Sequence, residues 1–183
     1  MNKTLDTIHL QKGMSYECYR KLIGQLLLLG KATGTEQSEK LLDFTRTNVA
    51  TMQRLDKEIR ITPETESLIR SIRRPQTWIV LTEGWCRDAA HIVPVLNAMC
   101  NININIELSL VLRDDNPELM DQYLTNGTSR SIPKLIAVNS RMEELFNWGA
   151  SASVKELKGD EKTIAIQQEL SELLEFSTSP QLV

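Results

Sequence analysis

The sequence predicts an α/β fold, with a mixed four-stranded sheet between two layers of helices and a helical extension ahead of it. Three observations carry this. Trp78-Ile79-Val80-Leu81-Thr82 is a short, nearly continuous apolar run, the pattern of a strand buried on both faces. The period then changes. Ala89, Ile92, Val93, Leu96, Met99 and Cys100 fall on one helix face, and the β-branched, leucine-rich run 104–112 follows as a second strand. Strand, helix, strand in that order requires parallel pairing through a crossover helix. Finally, runs 134–138 and 143–148 flank Asn139-Ser140-Arg141, a hairpin. From residue 77 the order is therefore βαβαββα.

The elements follow in chain order. Residues 1–13 show no clear pattern and are expected to be partly loose. Tyr16, Tyr19, Leu22, Ile23, Leu26 and Leu27 form a helical stripe that Gly30 and Gly34 end. A longer helix fits 36–59, with Leu42, Thr45, Val49, Met52, Leu55 and Ile59 inward. Thr62-Pro63 reads as an N-cap with proline at the first helical position, opening a helix that carries Leu68, Ile69 and Ile72 inward and stops before Pro75. Pro94 falls inside the helix after Cys86 and should bend it. Asn116-Pro117-Glu118 opens a further helix, which Asn126-Gly127 is expected to close. A last helix spans about 160–176, and the tail after Ser177 is expected to be disordered. The expected division is an N-terminal helical extension over 1–75 packed on the core, a folded domain over 76–176, and a tail over 177–183.

Composition narrows the function classes. The chain has 183 residues, 41% hydrophobic and 25% charged, enough for one domain with a full core. A net charge of -3 without a basic patch gives no reason to expect nucleic acid. Cysteines at 18, 86 and 100 have neither metal-ligand nor disulfide-framework spacing, so no metal or other cofactor is expected. The odd count points to a reducing compartment. No apolar stretch approaches the roughly 20 residues of a membrane span, and the N-terminus lacks the apolar core of a secretory signal. The expectation is a cytoplasmic protein with no membrane partner.

The order of landmarks around Cys86 resembles that of the thioredoxin family. Trp85-Cys86 follows the first core strand. Pro94 sits eight residues past the cysteine. Asp114-Asp115-Asn116-Pro117 resembles the Asp-x-Asn-Pro that enters the next helix, Ser131-Ile132-Pro133 the cis-proline loop, and Trp148-Gly149-Ala150 the end of the hairpin. More narrowly, the chain is similar to bacterial thioredoxin-like proteins with Trp-Cys-x-Asp-Ala-Ala in place of Trp-Cys-Gly-Pro-Cys. The resemblance implies a thioredoxin-like three-layer fold over about 76–176. It implies thiol-disulfide exchange at Cys86, with a protein or low-molecular-weight thiol or disulfide as partner. It does not extend to the first 75 residues.

Two departures shape the expected chemistry. The family's second active-site cysteine falls at Ala89, and its buried acid falls at Val80. No neighbouring thiol can then resolve a mixed disulfide on Cys86. The expected activity is monothiol exchange or reduction of oxidised thiols. A redox-inactive binding module and a regulatory thiol are the alternatives.

The candidate residues group around Cys86. A cysteine at a helix N-terminus sits where backbone N–H groups and the helix dipole favour a thiolate. Arg87 adds to that and Asp88 opposes it, so the sign of the net pKa shift stays open. Trp85, Arg87, Asp88, Ile132 and Pro133 are the expected substrate-binding surface. A cis Pro133 would expose the Ile132 backbone to an extended substrate. Arg113, Asp114 and Asp115 either line the same surface or cap the next helix. Cys100 lies 14 positions along the same helix, about 21 Å away at 1.5 Å per residue, too far to pair with Cys86. Cys18 is a weaker resolving candidate than a helix-packing residue. His91 reads as a surface residue, and Arg70, Arg73 and Arg74 as complements to a helix dipole.

Overall fold

A computed structural model describes residues 3–6 and 13–178. Helices α1 (Tyr16–Leu28), α2 (Glu39–Glu58) and α3 (Pro63–Ser71) precede strand β1 (Gln76–Thr82). Then follow α4 (Arg87–Cys100), β2 (Ile106–Leu112), the short α5 (Pro117–Asp121), the hairpin β3 (Lys134–Asn139) and β4 (Glu144–Trp148), the short α6 (Ala152–Glu156), and α7 (Gly159–Thr178). The sheet order is β2-β1-β3-β4. β1 pairs parallel with β2 from Gln76↔Ile106 to Thr82↔Leu112, and antiparallel with β3. The mixed sheet read from the sequence is the observed one.

Period-2 alternation along β1 divides the core. Trp78 and Val80 face the layer built by α1, α2, α3, α4 and α7. Ile79 and Leu81 face the other side, where Leu119, Met120, Tyr123 and Ile132 cover them. That second layer is thin, with α5 as its helix. Trp78 is fully buried, stacks edge-on against Phe146 at 6.1 Å and donates its Nε1–H to Gln76.

Side-chain caps explain the helix starts. Ser15, Ser38, Thr62 and Ser151 each accept an N–H from the first turn of the helix they open. The second strand starts at Ile106 rather than 104 for a related reason. Asn103 and Asn105 donate their side-chain N–H groups to the last carbonyls of α3, at Ile69 and Ile72, and Ile104 stands fully exposed. Helix α5 ends at Asp121, earlier than expected. Asn126-Gly127 does not close it. Both residues have positive φ, 53° and 71°, and form a separate turn under the Thr125↔Ser129 bridge. Pro94 lies inside α4, which runs on to Cys100.

The N-terminal stretch 1–13 is expected to be partly loose; of its described residues, 3–6 and 13, the segment 3–6 is docked. Leu5 is buried, its N–H bonds Met142, and Lys3 O accepts from Glu144 N–H. Met14 bridges Leu110 at the other sheet edge. Each edge is thereby met by one short backbone contact. Residues 1–2 and 7–12 lie outside the described residues, as do residues 179–183 of the expected tail. The described part of that tail, Ser177 and Thr178, completes α7. No described helix is long and apolar enough to cross a membrane.

Candidate functional site

Cys86 is the N-cap of α4. Its Sγ accepts the Ala89 N–H at 3.5 Å, and its thiol lies 3.5 Å from the Ile132 carbonyl as donor. The Ile132–Pro133 peptide is cis. The strand end and the loop before β3 thus meet at the sulfur, as the resemblance implies.

The electrostatics differ from a simple helix-dipole expectation. Burial is the largest influence on Cys86 and pushes its pKa above the ordinary thiol value. The Asp88 carboxylate pushes the same way. The Ala89 and Asp88 N–H groups and Arg113 oppose it without overcoming it. Cys86 is therefore a thiol at neutral pH, and its nucleophilic form grows as pH rises.

The N-terminal helices hold the loop that carries this cysteine. Thr33 Oγ1 accepts the Gly84 N–H at 2.8 Å, and Thr33 O accepts the Trp85 indole N–H at 3.1 Å. Asn48 of α2 donates to Gly84 O at 2.9 Å, within the core. The buried Tyr19 hydroxyl meets Thr82 Oγ1 at 3.1 Å. A Cβ on Gly84 would sit 3.0 Å from Ile23 of α1, so the close approach of α1 favours glycine there. These contacts were not visible in the sequence, because nothing in residues 1–75 says where those helices dock.

Arg113 and Asp114 position the site rather than line it. The Arg113 guanidinium lies over the Trp85 ring at 4.9 Å and pairs with Asp114 at 2.8 Å. The Asp114 N–H donates to Glu83 Oε1 at 2.9 Å, and Asp114 Oδ2 accepts from Thr35 N–H at 3.3 Å. Glu83 was missed in the sequence. It is fully buried at the end of β1, three residues before the cysteine. The only signal was an acid closing an otherwise apolar strand. Burial, joined by the Asp114 charge, raises its pKa above 4.5, while the Thr33 hydroxyl and the Asp114 N–H pull it back. A carboxyl raised on folding favours the neutral form in the native state. Its ionisation therefore lowers stability as pH climbs from its ordinary 4.5 through the raised value. Glu83→Gln, which keeps the acceptor for Asp114, is expected to raise the melting temperature at pH 7. The gain should vanish below about pH 4, where both proteins are neutral at this position. Melting curves at the two pH values check it.

A cleft of about 900 Å³ opens beside Cys86, between α2 with the residues just before it and the α6–α7 turn. Trp85, Arg87, Asp88 and His91 contribute to it. His91 has a ring nitrogen on the Arg87 carbonyl at 3.0 Å and no bond to the sulfur. Asp88 faces the largely buried Lys162 at 3.5 Å. Cys100 is buried in the core and Cys18 is exposed on the first turn of α1. Among the described residues no cluster of three or more His, Cys, Asp or Glu could hold a metal.

Residues 34–180 match the family model described as thioredoxin. No curated protein matches. Among solved structures, a protein of unknown function from Pseudomonas aeruginosa, PA1234, shares the fold with a TM-score of 0.60 at 17% identity, covering 90% of this chain and 99% of that one. An HIV epitope-scaffold has a TM-score of 0.55 at 16% identity, covering 90% and 95%. Both likenesses concern the fold. The family match takes in most of the sequence, including α2 and the whole sheet, and the chain belongs to the thioredoxin family.

Proposed function

We propose that the protein carries out monothiol exchange at Cys86, of the Trp-Cys-x-Asp-Ala-Ala kind found in bacterial thioredoxin-like proteins, in a reducing cytoplasm. The observation that carries this is the position of Sγ. It lies at a helix N-terminus, on the Ile132 carbonyl, beside a cleft large enough for a small ligand. The Cys86 thiolate attacks a disulfide sulfur. The Cys86–S–S–R bond forms as the old S–S bond breaks, and the departing thiolate takes the proton Cys86 gave up. Ala89 supplies no second thiol, so an external thiol must release the product.

A second reading is a binding module that keeps the groove and has lost the chemistry. The raised thiol pKa favours it, since little thiolate exists at neutral pH. One experiment separates the two. Cys18→Ser protein, which lacks the exposed thiol, is incubated with hydroxyethyl disulfide at pH 8–9 and mapped by mass spectrometry. Exchange predicts one adduct, on Cys86, absent in the Cys18→Ser/Cys86→Ser protein. An unmodified Cys86 that reacts only after denaturation supports the binding module.

A further inference from the structure

We propose that the cleft beside Cys86 selects small thiols or disulfides that carry negative charge, as carboxylate or phosphate; this rests on the exchange reading. The charge of the wall is the argument. Of the charged residues on it, Arg54 pairs with Glu58 and Lys162 with Asp88. That leaves Lys40, Arg87, Lys155 and Lys158 against Glu36 and Glu156. The four cations form no salt bridge among the described residues. The wall is thus net positive on a chain whose net charge is -3, so the positive charge is local to the cleft. Such a field concentrates anions and speeds their encounter.

Lys162 strengthens the case. Its side chain is 7% exposed, and its ammonium makes two bonds, at 3.5 Å to Asp88 and 3.2 Å to the Lys155 carbonyl. An ammonium has three donors, so one remains for a ligand. Trp85 and Phe44 add apolar wall, and the cleft volume lies within the range of small-molecule sites. A compact anion whose sulfur reaches Cys86 fits this arrangement better than a broad protein surface. The carrier thiol would then play two parts. Cys86 takes its sulfur from a mixed disulfide and frees the other thiol. A second molecule of the same thiol, as thiolate, attacks the Cys86 adduct and leaves as the symmetric disulfide, so one disulfide is consumed and one is formed: the incoming thiol sulfur is oxidised, the sulfur freed from the mixed disulfide is reduced, and Cys86 is regenerated.

The test compares three disulfides of similar size on Cys18→Ser protein at low salt: dithiodipropionate (anionic), hydroxyethyl disulfide (neutral) and cystamine (cationic). Cys86 is expected to react with the anionic reagent at least about 10-fold faster than with the cationic one, a preference that shrinks at 1 M salt. In Lys155→Glu/Lys158→Glu, two exposed positions, the ratio of anionic to neutral rates should fall to about one or below. A ratio unaffected by charge reversal, or no preference in the parent, overturns the proposal. Parallel runs with glutathione disulfide and coenzyme A disulfide show whether carboxylate or phosphate is preferred. If Cys86 reacts with none of the three, the exchange reading fails, and the cleft is judged alone by titrating S-methylglutathione, which cannot exchange. Amide NMR shifts at 155–162 that weaken in the charge-reversed variant then support anion selection, and their absence overturns it.

Discussion

Gly34→Ala is expected to destabilise the protein by about 2–4 kcal/mol and to loosen the loop that carries Cys86. Two terms add. Gly34 has φ +83°, where an L side chain costs about 1 kcal/mol. The new Cβ would also clash with Asp114 Oδ2 and sit 3.4 Å from Glu83 Oε2. The Asp114 carboxylate cannot swing aside freely, because Arg113 and the Thr35 N–H hold it. Charge-assisted bonds of this kind are worth about 1.5–3 kcal/mol each. The adjacent Thr33 holds Gly84 and Trp85, so displacement of residues 33–35 reaches the cysteine directly. Denaturant midpoints give the stability change, and alkylation of Cys86 by iodoacetamide should speed up. Gly24→Ala is the control. Nothing lies within 4 Å of its Cβ and it sits inside α1, so it should stabilise by about 0.5–1 kcal/mol. A loss below about 0.5 kcal/mol in Gly34→Ala would show that the segment does not clamp the site.

Ala89→Cys is expected to turn a one-cysteine site into a two-cysteine one. Ala89 stands three residues after Cys86, on the same side of the first turn, with its N–H on the sulfur. Side chains so spaced lie about 5–6 Å apart at Cβ, and local rotation at a helix start brings them within disulfide reach. The variant should form an internal disulfide, seen as loss of the mass of two hydrogens. It should reduce hydroxyethyl disulfide without holding a lasting adduct. The position is buried, so a modest overpacking penalty of about 1–3 kcal/mol is expected in the reduced form. A Cys86 adduct that persists in Ala89→Cys would mean that the missing thiol is not what limits the site.

How far the sequence revealed this site depends on the range of the interactions. Pattern and period reach only a few residues, and they were enough for β1, α4, β2 and the hairpin, each strongly apolar. Cys86 at a helix start was legible because strand and helix meet there. The Asn126-Gly127 turn was misassigned because an Asn-Gly pair serves both as a helix stop and as a tight turn, and only the Thr125↔Ser129 bridge distinguishes them. The start of β2 was misplaced because Ile104 fits a strand by composition, while neighbouring asparagines are drawn off to cap α3. The sign of the Cys86 shift depends on burial, and much of the structure around that loop comes from residues 19–48, whose docking no local pattern encodes. Glu83 illustrates the same limit. An acid at a strand end reads as a loop residue until Thr33, Gly34 and Asp114 close over it.

The most direct test of a lone nucleophile follows a Cys86 mixed disulfide after excess reagent is removed. In wild type and in Cys18→Ser alike, the adduct should persist at pH 8 until an external thiol is added, and should then leave with free Cys86 regenerated. If wild-type protein sheds the adduct unaided and gains a Cys18–Cys86 disulfide, while Cys18→Ser retains it, the resolving thiol lies within the chain and the monothiol account is wrong.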